Sequence, residues 1–128
     1  MSGLLHFLVT ESSLGARIVI RSQLIQLGYS VDMAFDGEST LVLVELKTYH
    51  LILLDAELNK GLDCYELGEL IHEQSSYNRE TPIILISASP HKVLKNKLYP
   101  CFAKPMNLND VNKIIDYLDE YNRKNNVF

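Results

Sequence analysis

The chain has 128 residues, of which 47% are hydrophobic and 22% are charged, and its formal net charge is −4. This length fits one domain with a sizeable core, and the composition excludes a disordered tail, a collagen and a disulfide-stapled miniprotein. A domain that binds nucleic acid over its whole surface is expected to be basic. The acidic balance therefore predicts no direct nucleic-acid partner.

The chain start and the cysteines predict the compartment. The first residues lack the basic and long apolar regions of a signal peptide, and no apolar run reaches the ~20 residues of a membrane span. Cys64 and Cys101 form no CxxC pair, which favours reduced thiols. We therefore expect a cytoplasmic protein with no membrane contact. No linker or repeat divides the sequence, so residues 1–128 are predicted to form a single domain, with a core over about 4–121 and a short polar tail over 122–128.

Short apolar runs alternate with longer amphipathic segments. The runs predict strands buried on both faces at Leu4–Val9, Tyr29–Ala34, Leu51–Leu54, Ile83–Ile86 and Cys101–Ala103. The segments with helical spacing are Ser13–Leu27, Gly37–Lys47, Leu62–Glu73 and Asn107–Tyr121. Gly28 supplies a stop signal after the first helix. Between Pro90 and Pro100 there is room for two helical turns at most, around His91–Leu98.

This alternation is typical of a parallel sheet with helices on both faces, which is a doubly wound α/β domain. In such a domain, ligands bind outside the carboxyl ends of the strands. Reactive side chains stand at those ends in this sequence. They are two carboxylates, two hydroxyls and one ammonium, from Glu11, Asp55, Ser12, Ser87 and Lys104.

The set of side chains fits one reaction in particular. Carboxylates after the first and third strands can share a divalent cation, because Mg²⁺ prefers oxygen ligands. A carboxylate beside such a cation can accept a phosphoryl group, whose oxygens then need positive charge and hydrogen-bond donors. Lys104 can supply the charge and Ser87 a hydroxyl, so aspartyl phosphorylation on Asp55 is one interpretation. The same residues also fit a simpler structure, in which Lys104 and Asp55 form a buried ion pair.

Five motifs stand in a fixed order along the chain. They occupy Phe7–Ser12, Leu27–Gly37, Tyr49–Asp55, Thr81–Ala88 and Phe102–Pro105, and the second contains the letters LGY and A-F-D-G. Together they resemble the receiver domain of response regulators in two-component signalling, over nearly the whole chain. From Glu11 to Leu58 the match needs no gap. Each motif alone is common, but the ordered set places each one at the strand end that the chemistry requires.

The resemblance implies a flavodoxin-like fold, in which helices flank a five-stranded parallel sheet of order 2-1-3-4-5. The spacing of Pro90 and Pro100 predicts that the fourth helix is shorter than in the family. It implies that Asp55 is the phosphoacceptor and that Ser87 and Lys104 complete the catalytic set. It also implies a cis peptide bond before Pro105. The implied Mg²⁺ ligands are Glu11, Asp55 and the backbone carbonyl of Glu57, with Ser12 binding weakly or through water.

The function implied by the resemblance is phosphorelay signalling. A histidine kinase or phosphotransfer protein would donate the phosphoryl group, and the domain would then change its affinity for a downstream protein target. Such a domain is a signalling module, not an enzyme, and at most catalyses its own phosphorylation and dephosphorylation. The usual receiver dimer uses the fourth helix, so the short segment at His91–Leu98 predicts a monomer or a different dimer.

Besides its short fourth helix, the sequence departs from the family pattern at three places. Ser12 replaces an Asp that usually binds Mg²⁺, and the lost charge is expected to weaken Mg²⁺ binding about tenfold or more. Cys101 stands where the family has an aromatic switch residue, and Phe102 beside it is expected to point to the opposite face of the strand. In the loop after the third strand, the alignment needs one inserted residue, which we place at Gly61.

These departures leave a second interpretation open, a pseudo-receiver that binds proteins without being phosphorylated. A third interpretation is a flavodoxin-like FMN binder, because the hydroxyls of Thr10, Ser12 and Ser13 precede a helix that could hold a phosphate. Glu11 in the same loop would repel that phosphate, and the chain has no tryptophan to stack on a flavin. Mg²⁺-dependent phosphorylation of Asp55 separates the first interpretation from the second, and a colourless protein excludes the third.

Overall fold

The computed structural model describes residues 5–58, 61–90 and 99–125. The strands are β1 (His6–Thr10), β2 (Ser30–Ala34), β3 (Leu51–Asp55), β4 (Ile83–Ser87) and β5 (Cys101–Ala103). The helices are α1 (Leu14–Gln26), α2 (Gly37–Val44), α3 (Cys64–Gln74) and α4 (Leu108–Lys124). The short helix predicted around His91–Leu98 lies outside the described residues.

All strand pairs are parallel, and the sheet order is β2-β1-β3-β4-β5, which confirms the predicted doubly wound α/β fold. Every residue of β3 and β4 is buried, because helices cover both faces of these central strands. The register pairs Asp55 with Ile86 and Ser87 with Ala103. The ends of β3, β4 and β5 therefore meet at one edge of the sheet.

Two hydrophobic cores lie on opposite faces of the sheet. One core joins alternate strand residues to α1 and α4, through Ile20, Leu24, Val111, Ile114 and Leu118. The other joins the remaining strand residues to α2 and α3, through Val44, Cys64, Leu67 and Ile71. The buried residues in α1, α3 and α4 recur at the helical spacing seen in the sequence. None of the described helices is both long and apolar enough to cross a bilayer.

Capping side chains explain where the helices begin. Ser13 caps α1, and Asp63 caps α3 through a capping box with Glu66, so α3 starts at Cys64 and not at the predicted Leu62. Gly28 follows α1 with a φ of 88°, a conformation that favours glycine and that confirms the predicted stop signal.

Two helix ends differ from the prediction. Helix α2 ends at Val44, before the predicted Lys47, because the Val44 carbonyl accepts hydrogen bonds from the side chains of Ser75 and Asn78. These bonds from the α3–β4 loop satisfy a carbonyl that a longer helix would use itself. Helix α4 continues to Lys124, so the first part of the predicted polar tail is helical.

Candidate functional site

Asp55 is the last residue of β3, and it is only 1% exposed. Its Oδ1 accepts hydrogen bonds from Lys104 Nζ and from the Glu57 backbone N–H, both at 2.9 Å. Its Oδ2 accepts hydrogen bonds from the Ser12 hydroxyl at 3.0 Å and from the Ser12 backbone N–H at 3.4 Å. The carboxylate is thus fixed in orientation by donors from three different loops.

Lys104 connects Asp55 to a second buried carboxylate. Its Nζ lies 2.9 Å from Glu11 Oε1 and 2.9 Å from Asp55 Oδ1, and both acidic side chains are 1% exposed. Glu11 is held in place by the Ser13 N–H, which donates to Oε2 at 2.8 Å. A third carboxylate, that of Glu57, lies 4.0 Å from the same ammonium. One ammonium faces three carboxylates here, so the site carries an excess of negative charge.

The ion pair shifts the pKa values of both partners. Burial alone would raise the pKa of Asp55, but the hydrogen bonds from Lys104 and from the Glu57 backbone bring it below its ordinary value. Burial alone would lower the pKa of Lys104, but its bonds to Asp55 and Glu11 raise that pKa. Asp55 is therefore ionised at neutral pH, as a nucleophilic carboxylate must be.

Ser87 and Ala88 donate hydrogen bonds to the side chain of Glu57. Ser87 ends β4, and its hydroxyl donates to Glu57 Oε2. The Ala88 N–H donates to Glu57 Oε1 at 2.8 Å. Both donors therefore lie beside the ammonium that binds Asp55, but they bind a carboxylate of the protein itself.

The oxygen atoms of the site fit a Mg²⁺ ion. Mg²⁺ is usually held by one or two carboxylates together with waters and phosphate oxygens. Glu11 and Asp55 supply two carboxylates that converge on one point, and their charge exceeds that of Lys104. Within the described ranges, no three acidic, imidazole or thiol side chains form a ready-made metal cage. The residues therefore fit a hydrated site with few protein ligands, as expected from a serine at position 12.

The structure brings together all the site residues that the sequence predicts: Glu11, Ser12, Asp55, Glu57, Ser87 and Lys104. The bond before Pro105 is cis, as the resemblance implied. The sequence analysis missed two donors. Arg17 donates to the carbonyls of Glu11 and Ser12 at 2.8 and 3.2 Å, and Ala88 uses its backbone. The sequence does mark both positions: Arg17 lies one helical turn after the capping residue Ser13, and Ala88 ends the motif Thr81–Ala88. It does not show that the Arg17 side chain and the Ala88 backbone N–H donate at the site.

The residues before Lys104 point in alternate directions. Phe102 packs against the α1–α4 core, whereas Cys101 and Tyr99 pack against the α2–α3 core, which confirms the predicted orientation of Phe102. Tyr99 lies over Gly68 of α3, where an added Cβ would come within 2.5 Å of its hydroxyl. The aromatic ring on this face is thus held by α3, at a distance of two residues from the position that holds the switch aromatic in the family.

The sequence profile of the response regulator receiver domain matches residues 7–116. This chain belongs to that family. It is a receiver domain, homologous to those of two-component response regulators and of sensor kinases. The family does not favour the pseudo-receiver interpretation, and it is not the flavodoxin family of the FMN interpretation.

Individual relatives of this receiver domain include regulators and kinases. The transcriptional regulatory protein DltR of Streptococcus agalactiae is 35% identical over 86 residues, covering 66% of this chain and 36% of that protein. The sensor protein EvgS of Escherichia coli is 30% identical over 109 residues, covering 81% of this chain and 9% of that protein. The chain thus spans about a third or less of the length of these relatives.

One similar solved structure is that of a receiver domain with a metal ion in its cleft. The receiver domain of the sensor histidine kinase PA1611 of Pseudomonas aeruginosa superposes with a TM-score of 0.77 and is 27% identical. The match covers 92% of this chain and 97% of that one. That domain has a magnesium ion coordinated in its active-site cleft.

Proposed function

We propose that this receiver domain accepts a phosphoryl group on Asp55 from a phosphohistidine of a partner protein, with Mg²⁺ in the site. The observation that carries this proposal is the contact of the buried Asp55 with Lys104 at 2.9 Å beside a second buried carboxylate, Glu11. A structural ion pair needs one carboxylate for one ammonium. Two buried carboxylates around one ammonium destabilise the fold unless another cation is bound there, and this supports a catalytic role.

Each residue of the site has a different role in the proposed phosphoryl transfer. A carboxylate oxygen of Asp55 attacks phosphorus, the O–P bond forms, the N–P bond breaks, and its electron pair returns to the imidazole of the partner. Lys104 would donate to the phosphoryl oxygens, with the Ser87 hydroxyl and the Ala88 N–H as further donors; their present contacts with Asp55 and Glu57 support these roles.

Mg²⁺, when bound, supplies further positive charge to the phosphoryl oxygens. The residues that would hold it are Glu11, Asp55 and the backbone carbonyl of Glu57, with Ser12 acting weakly or through a water. The smaller ligand charge, compared with a site that has a third acidic residue, gives an expected affinity about tenfold lower.

The proposed output is a change in affinity for a downstream protein. A hydrogen bond to a charged group contributes about 1.5–3 kcal/mol, and about 5.5 kcal/mol moves a 1:99 equilibrium to 99:1. Lys104, Ser87 and Ala88 could each donate to a phosphoryl group, and the energy available for switching is the difference between those bonds and the ones they now make to Asp55, Glu11 and Glu57. The partners we propose are a histidine kinase or phosphotransfer protein and a protein target, and we propose a monomer or a dimer that does not use the usual face.

Acetyl phosphate with and without Mg²⁺, followed by intact-mass measurement, tests this proposal. We expect one added phosphoryl group that requires Mg²⁺ and that Asp55→Asn abolishes. Asp116→Asn removes a carboxylate from the exposed face of α4 and should be phosphorylated like the wild type. If no adduct forms and beryllofluoride leaves the NMR spectrum unchanged, the domain acts without phosphorylation and the proposal is wrong.

A further inference from the structure

The side chain of Glu57 lies where a phosphoryl group would need to bind. We propose that Glu57 is an internal competitor of the phosphoryl group, whose carboxylate must leave Ser87 and Ala88 before Asp55 can be phosphorylated. This inference rests on the proposed function and adds a residue that sets the rate of the reaction. The backbone carbonyl of Glu57 was predicted to bind Mg²⁺, and its side chain lies close enough in sequence to compensate for Ser12 there, a role that the sequence alone does not decide.

The contacts of this carboxylate match those of an incoming anion. One oxygen, Oε2, accepts the Ser87 hydroxyl, and the other, Oε1, accepts the Ala88 N–H at 2.8 Å. Oε1 also lies 4.0 Å from Lys104 Nζ, which is itself 2.9 Å from Asp55 Oδ1. Three groups that can donate to a phosphoryl group on Asp55 thus surround a carboxylate that the protein already carries.

Two anions cannot use these donors at the same time. A serine hydroxyl has one proton to donate, and a backbone N–H likewise has one. A phosphoryl group that approaches Asp55 would also meet the negative charge of Glu57 at close range, and like charges repel. Phosphorylation therefore requires the carboxylate to move away first.

The position of Glu57 makes this movement simple. Its backbone N–H donates to Asp55 Oδ1 at 2.9 Å, so the peptide is anchored at the site. Its side chain is 44% exposed, in contrast to the 1% of Glu11. Rotation about the side-chain bonds can carry the carboxylate into solvent without any change in the sheet or in the anchored backbone.

An alternative role would give the opposite result. If the Glu57 carboxylate were a Mg²⁺ ligand that compensates for Ser12, its removal would weaken the metal and slow phosphorylation. In the structure the two oxygens of the carboxylate accept the Ser87 hydroxyl and the Ala88 N–H, which are donors that a phosphoryl group could use. The competitor role therefore predicts faster phosphorylation after the carboxylate is removed.

The test compares Glu57→Ala and Glu57→Gln with the wild type, using acetyl phosphate at saturating Mg²⁺. In this reaction a carboxylate oxygen of Asp55 displaces acetate from phosphorus. We expect Glu57→Ala to be phosphorylated about tenfold faster. This is the gain expected if, in the wild type, the Glu57 carboxylate leaves Ser87 and Ala88 free for only about one-tenth of the time. Glu57→Gln, which keeps a carbonyl acceptor but no charge, should be intermediate. Glu45→Gln removes one charge from an exposed residue at the end of α2 and should match the wild type.

A second measurement follows the hydrogen bond between Ala88 and Glu57 directly, in the absence of metal and phosphate. The Ala88 amide resonance should move upfield in Glu57→Ala, because its N–H loses a charged acceptor, and should stay in place in Glu45→Gln. Rates within twofold of the wild type, or an unmoved Ala88 resonance, would overturn the competitor role while the proposed function stands. Slower phosphorylation would assign the carboxylate to the metal. No adduct on any of these proteins would refute the proposed function, and the inference with it.

Discussion

An aspartate bonded to a lysine occurs at each end of the parallel sheet, but the surroundings of the two pairs differ. At the carboxyl ends of the strands, Asp55 and Glu11 share Lys104. Toward the amino ends, the Oδ2 atom of Asp32 on β2 accepts bonds from Lys47 Nζ at 2.8 Å and the Tyr49 hydroxyl at 2.7 Å.

The His6 imidazole completes this amino-end cluster of His6, Asp32, Lys47 and Tyr49, at 3.2 Å from the same Oδ2. The Asp32 carboxylate therefore contacts Lys47 and Tyr49 and has an imidazole beside it, whereas at the other end one ammonium contacts two buried carboxylates. The charges of Asp32 and Lys47 cancel in their ion pair, while the carboxyl-end site has one ammonium for two buried carboxylates and keeps an excess of negative charge. The charge balance of a cluster, more than the presence of an ion pair, is what favours a chemical role for the carboxyl-end site.

Removing each lysine in turn is the strongest test of this difference. Lys104→Met leaves two buried carboxylates without a counter-ion, and we expect the free energy of unfolding to fall by about 3 kcal/mol. Lys47→Met should cost less than about 1 kcal/mol, since Lys47 is 46% exposed and Asp32 keeps the Tyr49 hydroxyl. Urea unfolding at pH 7 measures both.

Mg²⁺ provides the control for this pair of variants. A divalent cation can replace the lost charge of Lys104, so added Mg²⁺ should narrow the difference in stability between Lys104→Met and the wild type. Lys47→Met keeps the same Mg²⁺ site as the wild type, so its difference from the wild type should not change with Mg²⁺. If Lys104→Met and Lys47→Met lose equal amounts of unfolding free energy, the two ends of the sheet do not differ as we describe.

The sequence shows the carboxyl-end site because each of its residues directly follows a buried apolar run. Asp55, Ser87 and Lys104 each stand at the end of a strand, and parallel strands bring such positions to one edge. The amino-end cluster has no comparable signal. Asp32 lies inside a strand and Lys47 after a helix, so both look like ordinary surface charges until the sheet places them together.

The direction of a loop side chain is the other feature that the sequence does not carry. That Glu57 lies near Asp55 follows from its position two residues later. That its carboxylate binds Ser87 and Ala88 depends on where β4 ends relative to β3, which is a property of the sheet register. Local sequence fixes neither the register nor the rotamer.

Replacing Ser12 by an acid should increase the excess of negative charge at the carboxyl-end site relative to the amino-end cluster. In Ser12→Asp a third carboxylate joins Glu11 and Asp55, so we expect Mg²⁺ to bind about tenfold more tightly. Without Mg²⁺ the same variant should be less stable, because like charges are then closer together. NMR titration with Mg²⁺ measures the affinity, and Ser12→Asn is the uncharged control. An unchanged affinity in Ser12→Asp would place the metal away from position 12.

The smallest expected effect is a pH dependence at the amino-end cluster. Burial would raise the pKa of Asp32, but its bonds to Lys47 and Tyr49 and the nearby His6 lower it below its ordinary value of 3.8. A carboxyl group with a lowered pKa stabilises the fold above its ordinary pKa, and this contribution is lost as the pH falls through the folded-state pKa.

Asp32→Asn should therefore cost about 1 kcal/mol at neutral pH, and the difference from the wild type should narrow below about pH 4. Urea unfolding from pH 7 to pH 3 measures this, and a difference that stays constant over the range would contradict it.

Asp55 also has a lowered pKa, yet Asp55→Asn relieves the repulsion between two carboxylates that share Lys104. It should cost less stability than Asp32→Asn even though Asp55 is the more deeply buried of the two, because removing a charge from an overcrowded cluster offsets the loss of its hydrogen bonds.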